Sequence, residues 1–277
     1  MTAMDGDGSL ARRAWLTLEP IHALVYFAPE VLDAYRDVGL KGFWMGYFAA
    51  RSAPLGPVPH AVVTATFHGF APRMVERSLP DAWTYASPED VLAATRRGVD
   101  AALRRVLDLG ALDGLDRAMT TLRDACAAAS VDGRALFAAH VALPWPDEPR
   151  LALWHAATLL REHRGDSHIA ALTAAGIDGC MSQVLQARRG ADTRDDLQST
   201  RGWTDDDWRA AEARIADRGI TAADRERVEE VTDVLSAQPF EGLDVEPALR
   251  ALAEASHACA TSGDIRYPNP IGLPAPT

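Results

Sequence analysis

Apolar residues recur at helical spacings along almost the whole chain, and alternating strand patterns are scarce. Residues 91–107 are typical, because their apolar side chains fall on one face of a helix and their arginines on the rest. Breaks rich in proline separate such segments at 54–59, at 144–149 and in the tail from Tyr267. The pattern predicts an all-α, mainly helical fold.

The composition limits the classes of partner. A chain of 277 residues with 48% hydrophobic residues is long enough for one large domain or two small ones with a sizeable core. Its formal net charge of −11 argues against a protein that holds nucleic acid by bulk electrostatics, although a local basic face remains an alternative.

Cysteine usage and hydropathy indicate the compartment. The three cysteines lie far apart without CxxC spacing, which excludes a cysteine-built zinc site and argues against a disulfide framework. No apolar stretch approaches the ~18 residues that span a bilayer, and the first 15 residues have no apolar core of a signal peptide. We therefore expect a cytoplasmic protein that does not enter a membrane.

A shared order of landmarks recurs at an offset of about 110 residues. Trp83-Thr84 and Trp203-Thr204 each precede a polar cap and a helix that ends at a glycine, Gly110 or Gly219. The recurrence predicts an internal duplication, against the alternative of coincidence between Ala- and Arg-rich helices. The predicted division is an N-terminal lobe at 1–143, a C-terminal lobe at 150–262 and a proline-rich tail at 263–277, which is either a loose end or a strap across the body.

Each half contains a helix-turn-helix pattern. In the second half, Ser167 can cap a helix from His168, Gly176 supplies the turn, and a second helix starts near Met181. In the first half, residues 60–66, Gly69 and residues 72–79 follow the same order. The Arg-Gly pair at 218–219 and the helix after it resemble the end of a winged-helix unit. We predict two similar tandem winged-helix-like lobes with reduced wings.

Four segments carry a resemblance to a known family. They are residues 19–30 (EPIHALVYFAPE), 53–56 (APLG), 161–168 (REHRGDSH) and 267–270 (YPNP). Together they resemble the signature segments of the SalK-like helix-turn-helix proteins of actinobacteria, over nearly the whole chain from Trp15 to the tail. The resemblance implies an all-helical, helix-turn-helix-related fold and supplies no catalytic residue.

The segment 161–168 concentrates charged and imidazole side chains. Arg164 and Asp166 can form a bidentate pair, and His168 would lie in the first turn of a helix, whose free N–H groups favour an anion. A ligand carboxylate or phosphate is one interpretation, and a polar clasp between helices, capped by Asp166, is the other. A metal site is weakly supported, because a separation of five residues puts two imidazoles off one helical face. The candidate ligand-binding residues here are Arg161, His163, Arg164, Asp166 and His168.

A second candidate group lies on the N-terminal helix. Glu19, His22 and Tyr26 share one helical face, so that Glu19 can orient His22 and the Tyr26 hydroxyl can meet a polar ligand atom. The alternative is a partly buried face whose Glu–His pair is satisfied internally. Nearby aromatic residues are expected to be core or to wall a pocket around this face: Phe43, Trp44, Tyr47, Phe48, Phe67 and Phe70.

Two functions compete at this point. Glycine-rich phosphate loops and nucleophile motifs are absent, so no cofactor, no resident metal and no specific reaction are predicted. We favour a polar pocket between helices that binds, and acts on or simply holds, a small molecule. The alternative is a DNA-binding regulator, and an oligomer through the last long helix is a further expectation. Base and phosphate contacts would then come from Ser182, Gln183, Gln186, Arg188 and Arg189, or from Arg73, Glu76 and Arg77.

Overall fold

The computed structural model describes residues 9–190 and 193–276, which contain sixteen α-helices and no β-strand. The first eight residues of the predicted N-terminal lobe and the last residue of the predicted tail lie outside these ranges. The prediction of an all-α fold is confirmed. None of the helices in the described ranges has the length and apolar content needed to cross a bilayer.

The helices follow one another through short connections. The first nine are α1 (Leu10–Phe27), α2 (Pro29–Asp37), α3 (Gly42–Ser52), α4 (His60–Phe67), α5 (Pro72–Glu76), α6 (Ala82–Tyr85), α7 (Pro88–Val106), α8 (Leu115–Ala128) and α9 (Ala135–Val141). The remaining seven are α10 (Pro149–Ala174), α11 (Gly179–Arg188), α12 (Arg194–Arg201), α13 (Asp205–Asp217), α14 (Ala222–Ala237), α15 (Glu246–Ala251) and α16 (Ala253–Ala260). Short 3-10 turns occur at Ala53–Leu55, Leu109–Ala111 and Gln238–Phe240.

Local capping explains several helix starts. Ser87 begins α7 and Thr204 begins α13 with the same device, a capping box in which an aspartate three residues later returns a hydrogen bond to the cap. Thr221 does the same for α14. The polar caps predicted after Trp83-Thr84 and Trp203-Thr204 therefore correspond to real helix starts. The similarity of the two halves as whole lobes stays a prediction.

Helix α10 differs from the prediction. The sequence pattern placed a break between Glu162 and His168, whereas α10 continues without interruption for 26 residues. Ser167 does not cap a helix, because its hydroxyl donates to the His163 carbonyl oxygen at 2.8 Å inside α10. Helices α1, α9 and α14 pack around α10, and this tertiary packing outweighs the low helix propensity of Gly165. The predicted helix start at His168, with its free N–H groups, is therefore wrong.

Two unequal apolar cores form along α10. The larger core combines α1–α9 and the first half of α10 with side chains from Phe240 to Leu273. The smaller core contains Ala171, Met181, Trp208 and Val228, so that it joins the end of α10 to α11, α13 and α14. Helix α10 is the one element that contributes buried apolar side chains to both cores among the described residues.

The helix pair α10–α11 has the predicted turn. Gly176 adopts φ +68°, and Asp178 caps α11 by accepting from the Met181 N–H at 2.9 Å. Helix α11 begins at Gly179, two residues before the predicted start. A Cβ at Gly179 would lie 2.1 Å from the His68 carbonyl oxygen, so the α4–α5 loop docks directly on the start of α11.

The proline-rich tail is a strap and not a loose end. Asn269 is 2% exposed; its amide donates to the Leu273 carbonyl at 2.9 Å and its carbonyl oxygen accepts from the Leu273 N–H at 3.0 Å. Leu273 packs in the larger core. Arg201 of α12 donates to the Pro270 carbonyl, which fixes the strap over the middle of the molecule.

Alanine substitutions at two glycines inside helices should change the free energy of unfolding in opposite directions. A Cβ at Gly165 would make ordinary contacts at 3.6 Å, so Gly165→Ala should raise the free energy of unfolding by about 0.5–1 kcal/mol. A Cβ at Gly98 would lie 2.6 Å from the Val31 Cα, so Gly98→Ala should lower it by about 1–3 kcal/mol. Urea denaturation measures both changes, and a loss of stability in Gly165→Ala would contradict the described course of α10.

Candidate functional site

A cavity of about 430 Å³ lies between the two apolar cores. Its walls come from α1, α3, α4, α10, α11, α12, α14, the α4–α5 loop and the tail strap. Seven arginines and two glutamates line it, so we call it the arginine-lined cavity. The arginines are Arg12, Arg51, Arg161, Arg164, Arg189, Arg201 and Arg225.

The excess of arginine is local. The chain as a whole carries a formal net charge of −11, whereas the carboxylates in the cavity wall are Glu19 and Glu229. Buried guanidinium groups are costly without counter-charges, so a wall of this composition attracts anions. Electrostatics therefore favour a negatively charged occupant.

Glu162 lies behind two of these arginines, lines a neighbouring smaller cavity and is 1% exposed. Arg51 donates to both of its carboxylate oxygens, at 3.1 and 2.9 Å, and Arg161 donates to Oε2 at 2.9 Å. Burial raises the pKa of Glu162, but the charges of Arg161 and Arg51 outweigh burial and hold the pKa well below its usual range. One carboxylate thus holds two guanidinium groups, from α3 and α10, at the cavity.

Glu19 belongs to the same cavity wall but not to the predicted pair with His22. The Trp15 indole N–H donates to Glu19 at 3.0 Å, and the Arg161 guanidinium lies 3.7 Å from it. Burial raises the pKa of Glu19, and the charge of Arg161 opposes that shift. Glu19 therefore offsets the charge of Arg161 only in part.

His22 and Tyr26 line a second, smaller cavity of about 50 Å³, which shares Tyr47 and Arg51 with the arginine-lined cavity. The Thr158 hydroxyl donates to the Trp154 carbonyl, so it accepts from His22 Nδ1–H at 2.9 Å. The Tyr26 hydroxyl then donates to His22 Nε2 at 2.8 Å. Both ring nitrogens are occupied, which leaves none for Glu19.

This arrangement keeps His22 neutral. Burial lowers its pKa well below the usual value, and the charge of Arg161 lowers it further. Burial also raises the pKa of the Tyr26 hydroxyl. His22 and Tyr26 therefore form a neutral hydrogen-bonded pair in the smaller cavity, and the Tyr47 side chain lies in the walls of both cavities.

Arg164 faces α14 and not Asp166. Its guanidinium lies 2.7 Å from Asp233 and 3.7 Å from Glu229, and it donates to the Ser236 hydroxyl at 2.9 Å. Arg12 of α1 contacts the same two carboxylates, at 3.1 and 3.2 Å. The predicted Arg164–Asp166 pair is replaced by an ionic link among α1, α10 and α14.

His168 also lines the arginine-lined cavity. The Thr232 hydroxyl donates to the Val228 carbonyl, so it accepts from His168 Nδ1–H at 3.0 Å, and Nε2 is left as an acceptor. Burial lowers the pKa of His168 to about 4, although Glu229 opposes the shift. At neutral pH, His168 is therefore a neutral side chain.

His163 and Asp166 lie on the other face of α10, against α9. Asp166 Oδ2 accepts from the N–H groups of Leu136 and Phe137 at 3.0 and 2.9 Å, so it caps α9. Burial raises the pKa of Asp166 to about 6, and burial lowers the pKa of His163 to about 4. Neither residue lines the two cavities. In the described ranges, no group of three acidic, histidine or cysteine side chains could hold a metal ion.

The predicted second helix of the helix-turn-helix faces inward. Ser182 and Gln183 of α11 are each 7% exposed and line the arginine-lined cavity, together with Gln186. The Ser182 hydroxyl donates to the Gly179 carbonyl at 2.8 Å and accepts from Gln183 Nε2 at 3.1 Å. The polar side chains expected to read bases are therefore part of the cavity wall.

Sequence reasoning found part of this site. Glu19, Arg161, Arg164 and His168 meet at one cavity from two distant segments. The predicted aromatic wall contributes Tyr47, Phe67 and Phe70. The arginines outside the 161–168 segment were missed, because each lies alone on a different helix and no local pattern marks it.

Comparison with known proteins gives one match. A family model described as a helix-turn-helix family matches residues 11–266, nearly the whole chain. No curated protein and no solved structure matches this sequence.

The ion cluster on Glu162 predicts a strong loss of stability in Glu162→Gln, because Arg51 and Arg161 would stay buried without their shared carboxylate. We expect the free energy of unfolding at pH 7 to fall by about 3–5 kcal/mol. Urea denaturation measures this loss. The exposed Glu241→Gln is the control and should change stability by less than about 0.5 kcal/mol.

The ion cluster of Glu162, Arg51 and Arg161 also predicts that the free energy of unfolding depends on pH. Because the folded-state pKa of Glu162 is lowered, its contribution is present above the unfolded pKa of about 4.3 and is lost as the pH falls toward the folded value. The stability difference between wild type and Glu162→Gln should therefore shrink between pH 7 and pH 3. A difference that stays constant over this range would contradict an ionised Glu162 in the fold.

Proposed function

The chain belongs to a helix-turn-helix family, and from that premise we propose that it uses this fold to bind a small molecule in the arginine-lined cavity. The observation that carries the proposal is the cavity itself, about 430 Å³ lined by seven arginines. This volume lies in the range of small-molecule sites. Within the family, we propose membership of the SalK-like actinobacterial group, on the four segments that resemble its signatures.

The orientation of α11 supports binding of a small molecule over reading of DNA. A recognition helix must offer its polar side chains to base edges in the major groove. Ser182 and Gln183 are 7% exposed and are directed into the cavity wall. They are therefore available to a cavity ligand and are closed off from a duplex.

Helix α13 also follows a short turn, and its first turn is acidic. Asp205, Asp206 and Asp207 fill its first turn, where a recognition helix would approach the phosphates and bases. In the first half, α5 has only five residues, and Arg73 is paired with Asp207 at 2.5 Å. These features favour a ligand inside the protein over a nucleic acid on its surface.

Four predicted residues form the core of the proposed site: Glu19, Arg161, Arg164 and His168. His22 and Tyr26 support it from the small cavity, through the wall that Tyr47 and Arg51 share. His163 and Asp166 are omitted from the proposed site, because they pack against α9. The matching capping boxes of α7 and α13 support the proposal that the site lies between duplicated lobes.

Blocking the cavity tests the proposal. Ile169 lines it, whereas the next residue of α10, Ala170, is exposed to solvent. We expect compounds from a mixed panel of anionic, neutral and cationic metabolites to raise the melting temperature of the wild type in proportion to ln(1 + [L]/Kd). Ile169→Trp should remove the shift, and the matched Ala170→Trp should retain it.

Two outcomes of this screen would contradict the proposed function. One is a panel in which no compound stabilises the wild type at millimolar concentration. The other is a set of hits that stabilise Ile169→Trp as strongly as Ala170→Trp, since the ligand would then bind elsewhere.

A DNA-binding regulator is the second candidate, and the family match favours it. It requires the exposed Arg188 and Arg189 at the end of α11 to contact phosphates. We expect no rise in the fluorescence anisotropy of a labelled random-sequence duplex pool at about 50 mM salt. A rise that disappears in the Arg188→Gln, Arg189→Gln double variant would support DNA binding instead.

A further inference from the structure

Among the arginines of the cavity wall that are not exposed to solvent, Arg201 is the one without a carboxylate partner in the described residues. Its guanidinium lies over the Phe70 ring at 4.4 Å, donates to the Pro270 carbonyl and interacts with the Tyr47 side chain. Within residues 9–190 and 193–276, no carboxylate lies within 4.0 Å of it, and its buried Nε–H has no acceptor. By contrast, Arg51, Arg161 and Arg164 all have carboxylate partners.

Gln183 supplies a second polar group without a partner, in this case a hydrogen-bond acceptor. Its side chain is more than nine-tenths buried, and Oε1 accepts no hydrogen bond. The orientation of the amide follows from Ser182, whose hydroxyl proton is used by Gly179 and which therefore accepts from Gln183 Nε2. The group that remains without a partner is an acceptor, and an unsatisfied buried acceptor is unfavourable.

The α4–α5 loop contacts both residues. A Cβ at Gly69 would lie 2.9 Å from Gln183 Nε2, and the following residue, Phe70, carries the Arg201 guanidinium on its ring. The Arg201 carbonyl accepts from the Ala71 N–H at 2.8 Å, which ties the end of α12 to the same loop. The α4–α5 loop thus contacts both the arginine without a carboxylate partner and the glutamine with the unfilled acceptor, and both residues line the cavity.

We propose that the ligand is a carboxylate- or phosphate-bearing metabolite with a hydroxyl or amino group next to the anionic group. The anion would pair with Arg201, and the neighbouring O–H or N–H would donate to Gln183 Oε1. This inference rests on the proposed function and names the chemistry of its ligand. The remaining arginines of the wall add positive potential to the cavity, which disfavours a cationic ligand.

Matched pairs of probes test both halves of the proposal on the full chain. Citrate and tricarballylate differ by one hydroxyl group beside a carboxylate, and glycerol 3-phosphate and propyl phosphate differ by hydroxyl groups near a phosphate. Titration calorimetry at constant ionic strength measures each dissociation constant. In at least one pair, we expect the hydroxylated member to bind about fivefold or more tightly than its partner, and the pair that binds identifies the anion.

The variants assign each effect to a residue. Arg201→Gln should weaken both members of the binding pair by about tenfold to a hundredfold, because a charge-assisted contact is lost. Gln183→Met should remove the preference for the hydroxylated member and leave the other member nearly unchanged. Arg209 is an exposed arginine of α13 that pairs with Asp206 away from the cavity, so Arg209→Gln is the control and should leave all constants unchanged.

Three results would overturn the inference: no binding by either pair, equal binding of the two members in the wild type, or retention of binding in Arg201→Gln. If Arg201→Gln fails to fold, the wild type and Gln183→Met comparison still decides the case. Neutral compounds that stabilise the wild type and are blocked by Ile169→Trp would leave the proposed function standing and would refute this ligand chemistry. Absence of any cavity-dependent ligand would refute both.

Discussion

The buried contact of Glu162 with Arg51 and Arg161 is the interaction on which the rest of the site depends. Two guanidinium groups next to each other repel, and both lose hydration when they are buried, so they require a shared counter-charge with good geometry. Glu162 supplies it with three hydrogen bonds of 2.9–3.1 Å. One carboxylate serves two cations here, and Glu19, 3.7 Å from Arg161, is a second and more distant counter-charge in the wall of the arginine-lined cavity. The same contact ties α3 to α10.

Helix α10 directs its side chains to opposite neighbours. One face lines the proposed ligand site, and the other face packs against α9. Arg161, Arg164 and His168 face the cavity and α14, while His163 and Asp166 face α9. Asp166 caps α9, which orients the helix on the far side of α10 without any contribution to ligand binding. A segment that looks like one cluster in the sequence is therefore two surfaces in space. An unbroken helix makes this unavoidable, since residues two or five apart fall on different faces.

Local signals were sufficient for the helices but not for their continuity. The capping residues Ser87 and Thr204 and the turn at Gly176 act within a few residues, so their effects can be predicted from the sequence. The continuity of α10 through Gly165 comes from helices packed around it, which no local propensity reports. The same holds for the ion cluster, because Arg51 and Glu162 are 111 residues apart. Half of the predicted site residues line the arginine-lined cavity, and two local signals mark them: the charge density of residues 161–168 and the polar face of α1. The arginines of the cavity wall outside residues 161–168 lie singly on different helices, so no local sequence pattern indicates them.

Ser182 and Gln183 show why sequence alone leaves the function open. An amide and a hydroxyl on the second helix of a helix-turn-helix suit the edge of a base and a polar ligand equally well. Burial separates the two uses, because a side chain that is 7% exposed cannot reach into a groove without leaving its own hydrogen bonds. Gln183 donates an amide N–H to Ser182, and its buried oxygen is the group that has no hydrogen-bond partner. Rotating α11 outward to free these groups would expose the buried Met181 and Val184, so the inward orientation is tied to the smaller core itself.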